Sequence, residues 1–118
     1  MRKSVFWVLI AASAVILASC GSTPVMYNWY GYTNTTYAYV KAGDDESNAK
    51  LLEVYQKIVD GQADTLRQTV PPGVCADYGY MLVKGGKIDE GKALLLKEKE
   101  LYPESAAFID SILRRIER

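Results

Sequence analysis

The sequence predicts an all-α protein, and three observations carry that expectation. Apolar residues recur at helical spacing from Ala49 onward, glycines and prolines cut the chain into helix-length pieces, and Pro71–Ser105 holds a full set of start and stop signals. That last stretch reads as a helix, a glycine turn, a second helix and a proline stop, which together make one helical hairpin. At 118 residues the chain has room for one small domain, expected to hold about five helices.

The first residues read as delivery. Arg2 and Lys3 form a positive start, and Val5 to Leu17 an apolar run, shorter than the roughly 20 residues a membrane-spanning helix needs. Leu17-Ala18-Ser19-Cys20 resembles a bacterial lipobox. The resemblance implies cleavage between Ser19 and Cys20 and attachment of lipid to the Cys20 thiol, an anchor that three acyl chains make effectively permanent. Gly21 stands where an aspartate would favour retention at the inner membrane, so the expected location is the periplasmic face of the outer membrane. The other cysteine, Cys75, is then a lone buried thiol; without lipid on Cys20, a Cys20–Cys75 disulfide is the alternative. The expected organisation is a signal peptide over 1–19, a lipidated tether over 20–26 and a helical repeat-like domain over 27–118. The leader holds two basic residues and no acidic ones, which tips the otherwise balanced chain (14 Lys and Arg, 14 Asp and Glu) to a slightly negative mature protein.

The tether is followed by an aromatic segment holding Tyr27, Trp29, Tyr30, Tyr32, Tyr37 and Tyr39. Its propensity suits a strand, but Trp29, Tyr30, Thr33, Tyr37 and Val40 also recur at helical spacing and suggest a first helix over about 29–41. Its rings have three readings: domain core, partner surface, or contact with lipid headgroups. Gly43 reads as a stop and Asp44 or Asp45 as the cap of a second helix. Ala49, Leu52, Tyr55, Val59, Ala63 and Leu66 mark an apolar stripe for that helix, ended by Pro71 and Pro72.

In the third helix Cys75, Tyr78, Gly79 and Leu82 share one face, and Gly85-Gly86 closes it with a left-handed cap. Asp89 and Glu90 favour the start of the fourth helix, whose inward positions are Ile88, Gly91, Leu95 and Tyr102. Gly79 and Gly91 each cost about 1 kcal/mol relative to alanine inside a helix, and close approach of two backbones is the compensating reason. In the fifth helix, about 104–118, Phe108, Ile109, Ile112, Leu113 and Ile116 face inward while Asp110, Arg114, Arg115 and Glu117 face out.

Tyr78, Gly79, Leu82, Gly86, Ile88, Gly91, Leu95 and Pro103 fall where a tetratricopeptide repeat has its consensus residues, and the hairpin resembles that repeat. The resemblance implies helical hairpins ended by a capping helix, and a concave face nominating Tyr80, Val83 and Lys84 for partner binding, with Trp29 as a further aromatic candidate. Glu98 departs from the pattern, standing where the repeat has a small residue. Two hairpins and a cap fall short of three repeats, so a homo-oligomer or a permanent partner is expected. The lipobox, Tyr27-Asn28-Trp29, Pro71-Pro72-Gly73, Glu98-Lys99 and Pro103-Glu104-Ser105 together resemble a family of small bacterial lipoproteins known as domain of unknown function 4810. Its members are typically encoded beside a lipoprotein similar to the curli-secretion channel, which implies a channel-like lipoprotein as partner.

The chain has no histidine, no metal-ligand cluster and no phosphate-binding loop. Neither catalysis, a metal nor a cofactor beyond the covalent lipid on Cys20 is expected, and with charges balanced no nucleic acid partner is expected either. Asp44-Asp45 and Asp89-Glu90 read as helix starts. Three functions fit: a lipid-anchored adaptor in an outer-membrane secretion or surface-assembly complex, a regulator of a periplasmic cell-wall enzyme, and a self-associating structural lipoprotein.

Overall fold

The computed structural model describes residues 1–8 and 21–118. Ser19 and Cys20, which carry the cleavage and lipidation expectations, lie outside the described residues. The described chain is helical, without strands: residues 2–8, then α1 (Tyr32–Ala42), α2 (Asp45–Asp60), α3 (Val74–Lys84), α4 (Ile88–Leu101), a 3-10 turn (Pro103–Ser105) and α5 (Ala106–Ile116). No helix among these residues is long and apolar enough to cross a membrane.

The first helix starts three residues later than the aromatic spacing suggests. Tyr30 and Gly31 both take left-handed backbone conformations, with φ 48° and 76°, which no α-helix accommodates. The Tyr30 hydroxyl donates to the Gly61 carbonyl at 2.9 Å and fixes this bend. The expected face of α1 is corrected accordingly. Trp29, Tyr30, Thr33, Tyr37 and Val40 are all exposed, while Tyr32, Thr35, Thr36 and Tyr39 turn toward the protein. Gly43, at φ 63°, ends α1 and donates to the Tyr39 carbonyl at 2.8 Å.

Asp44 caps α2, its side chain accepting from the Ser47 N–H at 2.8 Å. The helix stops at Asp60, well short of Pro71. The reason is Gln62, which is buried: its amide nitrogen donates to the Ile58 carbonyl at 2.8 Å and so satisfies a helix-end acceptor from outside the helix. The same nitrogen donates to the Asn28 carbonyl (2.9 Å), and the Gln62 Oε1 accepts from the Asn28 N–H (3.0 Å). One glutamine thereby ends α2 and clamps the incoming chain. Attachment begins at Val25, whose carbonyl accepts from the Leu66 N–H at 3.0 Å. Ala63 and Leu66 therefore lie in the loop, and Ala49 is exposed; the buried apolar residues of α2 are Leu51, Val54, Tyr55 and Ile58.

The central helix is α3. Cys75, Tyr78, Gly79 and Leu82 are buried as expected, and so are Val74 and Ala76. Cys75, Tyr78 and Leu82 join Leu51, Val54, Tyr55 and Ile58 in the larger core, against which Tyr32 and Tyr39 pack. Ala76 belongs to a second core with Leu95 and Ile109. A helix buried on two sides is what lets so short a chain hold two cores. Gly86, at φ 88°, makes the left-handed turn into α4, and Gly91 meets Gly79 across the hairpin.

Gly91 and Leu95 of α4 are buried, whereas Ile88, the first residue after the turn, is exposed at the turn end of the hairpin. Tyr102 lies just beyond α4 and donates its hydroxyl to the Val70 carbonyl at 2.6 Å, tying the end of the hairpin to the α2–α3 loop. In α5, Ile109 is fully buried and Ile112, Leu113 and Ile116 complete its face. Phe108, a quarter-turn from the centre of that face, is exposed, contrary to expectation. Lys99–Asp110 (2.7 Å) and Lys92–Glu117 (3.1 Å) flank the α4–α5 seam. Partly exposed pairs contribute at most about 1 kcal/mol each, so the apolar face does most to hold α5 in place.

Candidate functional site

A groove of about 550 Å³ lies between the α1–α2 corner and the second half of α3. Its walls differ in charge. Asp44 and Asp45 stand on one side at the start of α2, and Lys84 and Lys87 on the other around the α3–α4 turn; Tyr39, Leu52, Tyr80 and Met81 supply the apolar lining between them. Hydrogen bonds from Ser47 hold the Asp44 carboxyl below its ordinary range, so that carboxyl stays ionised. The Lys84 ammonium lies 5.8 Å from the centre of the Tyr80 ring, in cation–π range. Tyr80 is about half exposed although it sits on the most buried helix.

Two of the four residues nominated for partner binding, Tyr80 and Lys84, thus meet in this groove. Val83 does not. Its Cγ2 occupies the space a side chain at position 91 would fill, so it packs into the α3–α4 hairpin. Trp29 also stands apart, contacting Tyr27 and Tyr32 at centroid distances of 6.1 and 5.6 Å. The ring contacts continue from Tyr32 to Tyr55 (5.6 Å) and from Tyr55 to a stacked Tyr78 (5.7 Å), running from the surface into the larger core. The aromatic segment is divided: Tyr32 and Tyr39 serve the core, while Trp29, Tyr30 and Tyr37 remain exposed.

A second crevice, about 360 Å³, opens where α3 begins, between Asp77, Glu98, Glu104 and the exposed ring of Phe108. Glu98 is 2% exposed, and its Oε1 accepts from the Gly73 N–H at 2.7 Å. The carboxylate that departs from the repeat pattern therefore caps α3 from a position 25 residues along the chain. Its Oε2 has no hydrogen-bond partner among the described residues. Desolvation pushes the Asp77 carboxyl above its ordinary range. Cys75 is a free, fully buried thiol that desolvation pushes up to about 11, which keeps it protonated and unreactive.

Among the described residues no group of three or more His, Cys, Asp or Glu side chains is placed to hold a metal ion. The arrangement offers a charged-walled apolar groove, suited to holding a polypeptide segment by its side chains. Sequence reasoning missed the roles of Gln62, Glu98 and Tyr102: each acts on a backbone group distant in the chain.

No curated protein and no solved structure matches this chain. One family model does, from the aromatic segment through both hairpins into α5. By that match over residues 26–112, the chain belongs to the family described as Domain of unknown function (DUF4810).

Proposed function

We propose that this protein is an outer-membrane lipoprotein, anchored on the periplasmic face through lipid on Cys20, that works as a helical adaptor in an envelope secretion or surface-assembly complex. The observation that carries the adaptor reading is the groove itself. Tyr80 and Lys84 meet there opposite Asp44 and Asp45, and a half-exposed tyrosine beside a charge is the kind of side chain that anchors protein interfaces. The lipobox supports the anchor, and the encoding of such lipoproteins beside a curli-secretion-channel-like lipoprotein supports that class of partner. The protein has no catalytic role on this reading and needs no cofactor beyond its lipid.

Affinity capture of the tagged, membrane-anchored protein tests the proposal. Recovery of a channel-like lipoprotein, lost in the Tyr80→Ala, Lys84→Ala double variant, is the expected result. Recovery of a cell-wall enzyme points to regulation instead, and recovery of the protein alone to a self-associating lipoprotein. Normal capture by the double variant rules out the groove.

A further inference from the structure

Apolar surface is left open where the chain enters the domain. Val25, Met26, Trp29, Tyr30 and Leu66 are 54%, 55%, 43%, 44% and 63% exposed. Hydrogen bonds join them into one region: the Val25 carbonyl to the Leu66 N–H, and the Tyr30 hydroxyl to Gly61 in the same loop. The polar residue among them, Asn28, turns inward onto Gln62. Part of the backbone here is paired: the Val25 carbonyl with the Leu66 N–H, the Asn28 N–H and carbonyl with Gln62, and the Trp29 carbonyl with the Tyr32 N–H at 2.9 Å. At headgroup depth the remaining backbone groups still meet water.

We propose that the patch seats on the lipid bilayer, at the level of the headgroups. This rests on the reading of Cys20 as the lipid anchor. Only Gly21–Pro24 separate that anchor from Val25, a span of roughly 17 Å at full extension, so the patch is the first folded surface after the lipid. Residues 24–31 carry no charged side chain, and tryptophan and tyrosine prefer the bilayer interface, where an apolar ring and a polar edge are both satisfied. Asp64 and Arg67, close to Leu66 in sequence, are exposed, and a seat no deeper than the headgroups leaves them hydrated. The interface orients the domain and leaves the groove around Tyr80 and Lys84 free for a protein.

The processed chain supplies its own reporter, because Trp7 belongs to the leader and Trp29 is then its single tryptophan. The full chain, processed in bacteria, is reconstituted into phosphatidylcholine–phosphatidylglycerol vesicles whose acyl chains are brominated close to the headgroup, and vesicle flotation is followed beside Trp29 fluorescence. The expected result is co-flotation with a blue-shifted emission that loses more than half its intensity to the bromines. Met26→Asp should co-float with unchanged helical circular dichroism but lose most of that quenching. Co-flotation without quenching overturns the docking while leaving the anchor standing; a blue shift without quenching does so too, and shows the patch covered by a second copy. Failure to co-float overturns the anchor and the docking together. Quenching unaltered in Met26→Asp overturns the assignment of the patch.

Discussion

Gly79 and Gly91 touch through their backbones: a Cβ on Gly79 would stand 2.7 Å from the Gly91 carbonyl oxygen, and a Cβ on Gly91 would stand 2.5 Å from that of Gly79. Both distances are shorter than a methyl group tolerates; a backbone oxygen obstructs in each case, joined at Gly91 by Val83 Cγ2. Gly79→Ala should therefore destabilise the protein by about 1–3 kcal/mol, although alanine is the better helix former by about 1 kcal/mol. Gly85→Ala is the control. A Cβ there meets nothing closer than 3.5 Å and φ is −79°, so the change should be neutral or stabilising by up to about 1 kcal/mol. Urea denaturation of the two variants checks the contrast; equal stability would remove the close-approach account of the hairpin.

Glu98 ties α4 to the start of α3. Glu98→Ala removes the acceptor for the Gly73 N–H and opens space beneath it, at an expected cost of about 1–3 kcal/mol. Glu98→Gln keeps an acceptor oxygen and removes a buried charge, so its loss should be the smaller one. Thermal unfolding of both variants reads the order, and a larger loss for glutamine would show that Oε2 has an essential partner.

Tyr102 should make stability fall in alkali. Desolvation pushes its phenol from the ordinary 10.0 up to about 12, so the unfolded chain gives up this proton before the folded one does. The contribution is complete below pH 10.0 and is lost as pH rises through about 12. Burial also raises Tyr55 and Tyr78, so the alkaline loss is shared. Tyr102→Phe should flatten part of that decline, and at neutral pH it should cost about 0.5–1.5 kcal/mol through the lost bond to Val70. Denaturation midpoints measured across this range in both proteins test the sign.

Cys75 should resist thiol reagents in the native protein. Full burial and the raised pKa both suppress the thiolate. In denaturant the processed chain should react at one thiol, since lipid occupies Cys20; two reactive thiols would contradict the anchor. Fast reaction of the native protein would contradict the packing of the larger core.

The α3–α4 hairpin was legible because its punctuation is local: Pro71-Pro72-Gly73 before it, Gly85-Gly86 within it, Pro103 after it. The first two helices were read less well. The aromatic segment is so dense that two helical stripes run through it, and the left-handed Tyr30-Gly31 pair selects the one on Tyr32 and Tyr39. Ala63 and Leu66 continue the spacing of α2 by coincidence, whereas Gln62 ends the helix through partners at Ile58 and Asn28. Phe108 was assigned inward as the edge of an amphipathic face, and only the fully buried Ile109 fixes where the centre of that face lies. At the candidate site, the resemblance to a tetratricopeptide repeat nominated Tyr80 and Lys84, which line the groove, but the acidic wall arrives from α2 and is invisible in the α3 sequence. Glu98 was recognisable as a departure from the repeat pattern; its partner, 25 residues distant, was not.

The adaptor account is tested most directly by placing a photo-crosslinking amino acid at position 80 of the membrane-anchored protein in its own cell. The account predicts a discrete adduct with a channel-like outer-membrane lipoprotein, absent when the crosslinker is moved to the exposed position 108. No adduct from position 80, or an adduct with a second copy of this chain alone, would contradict it.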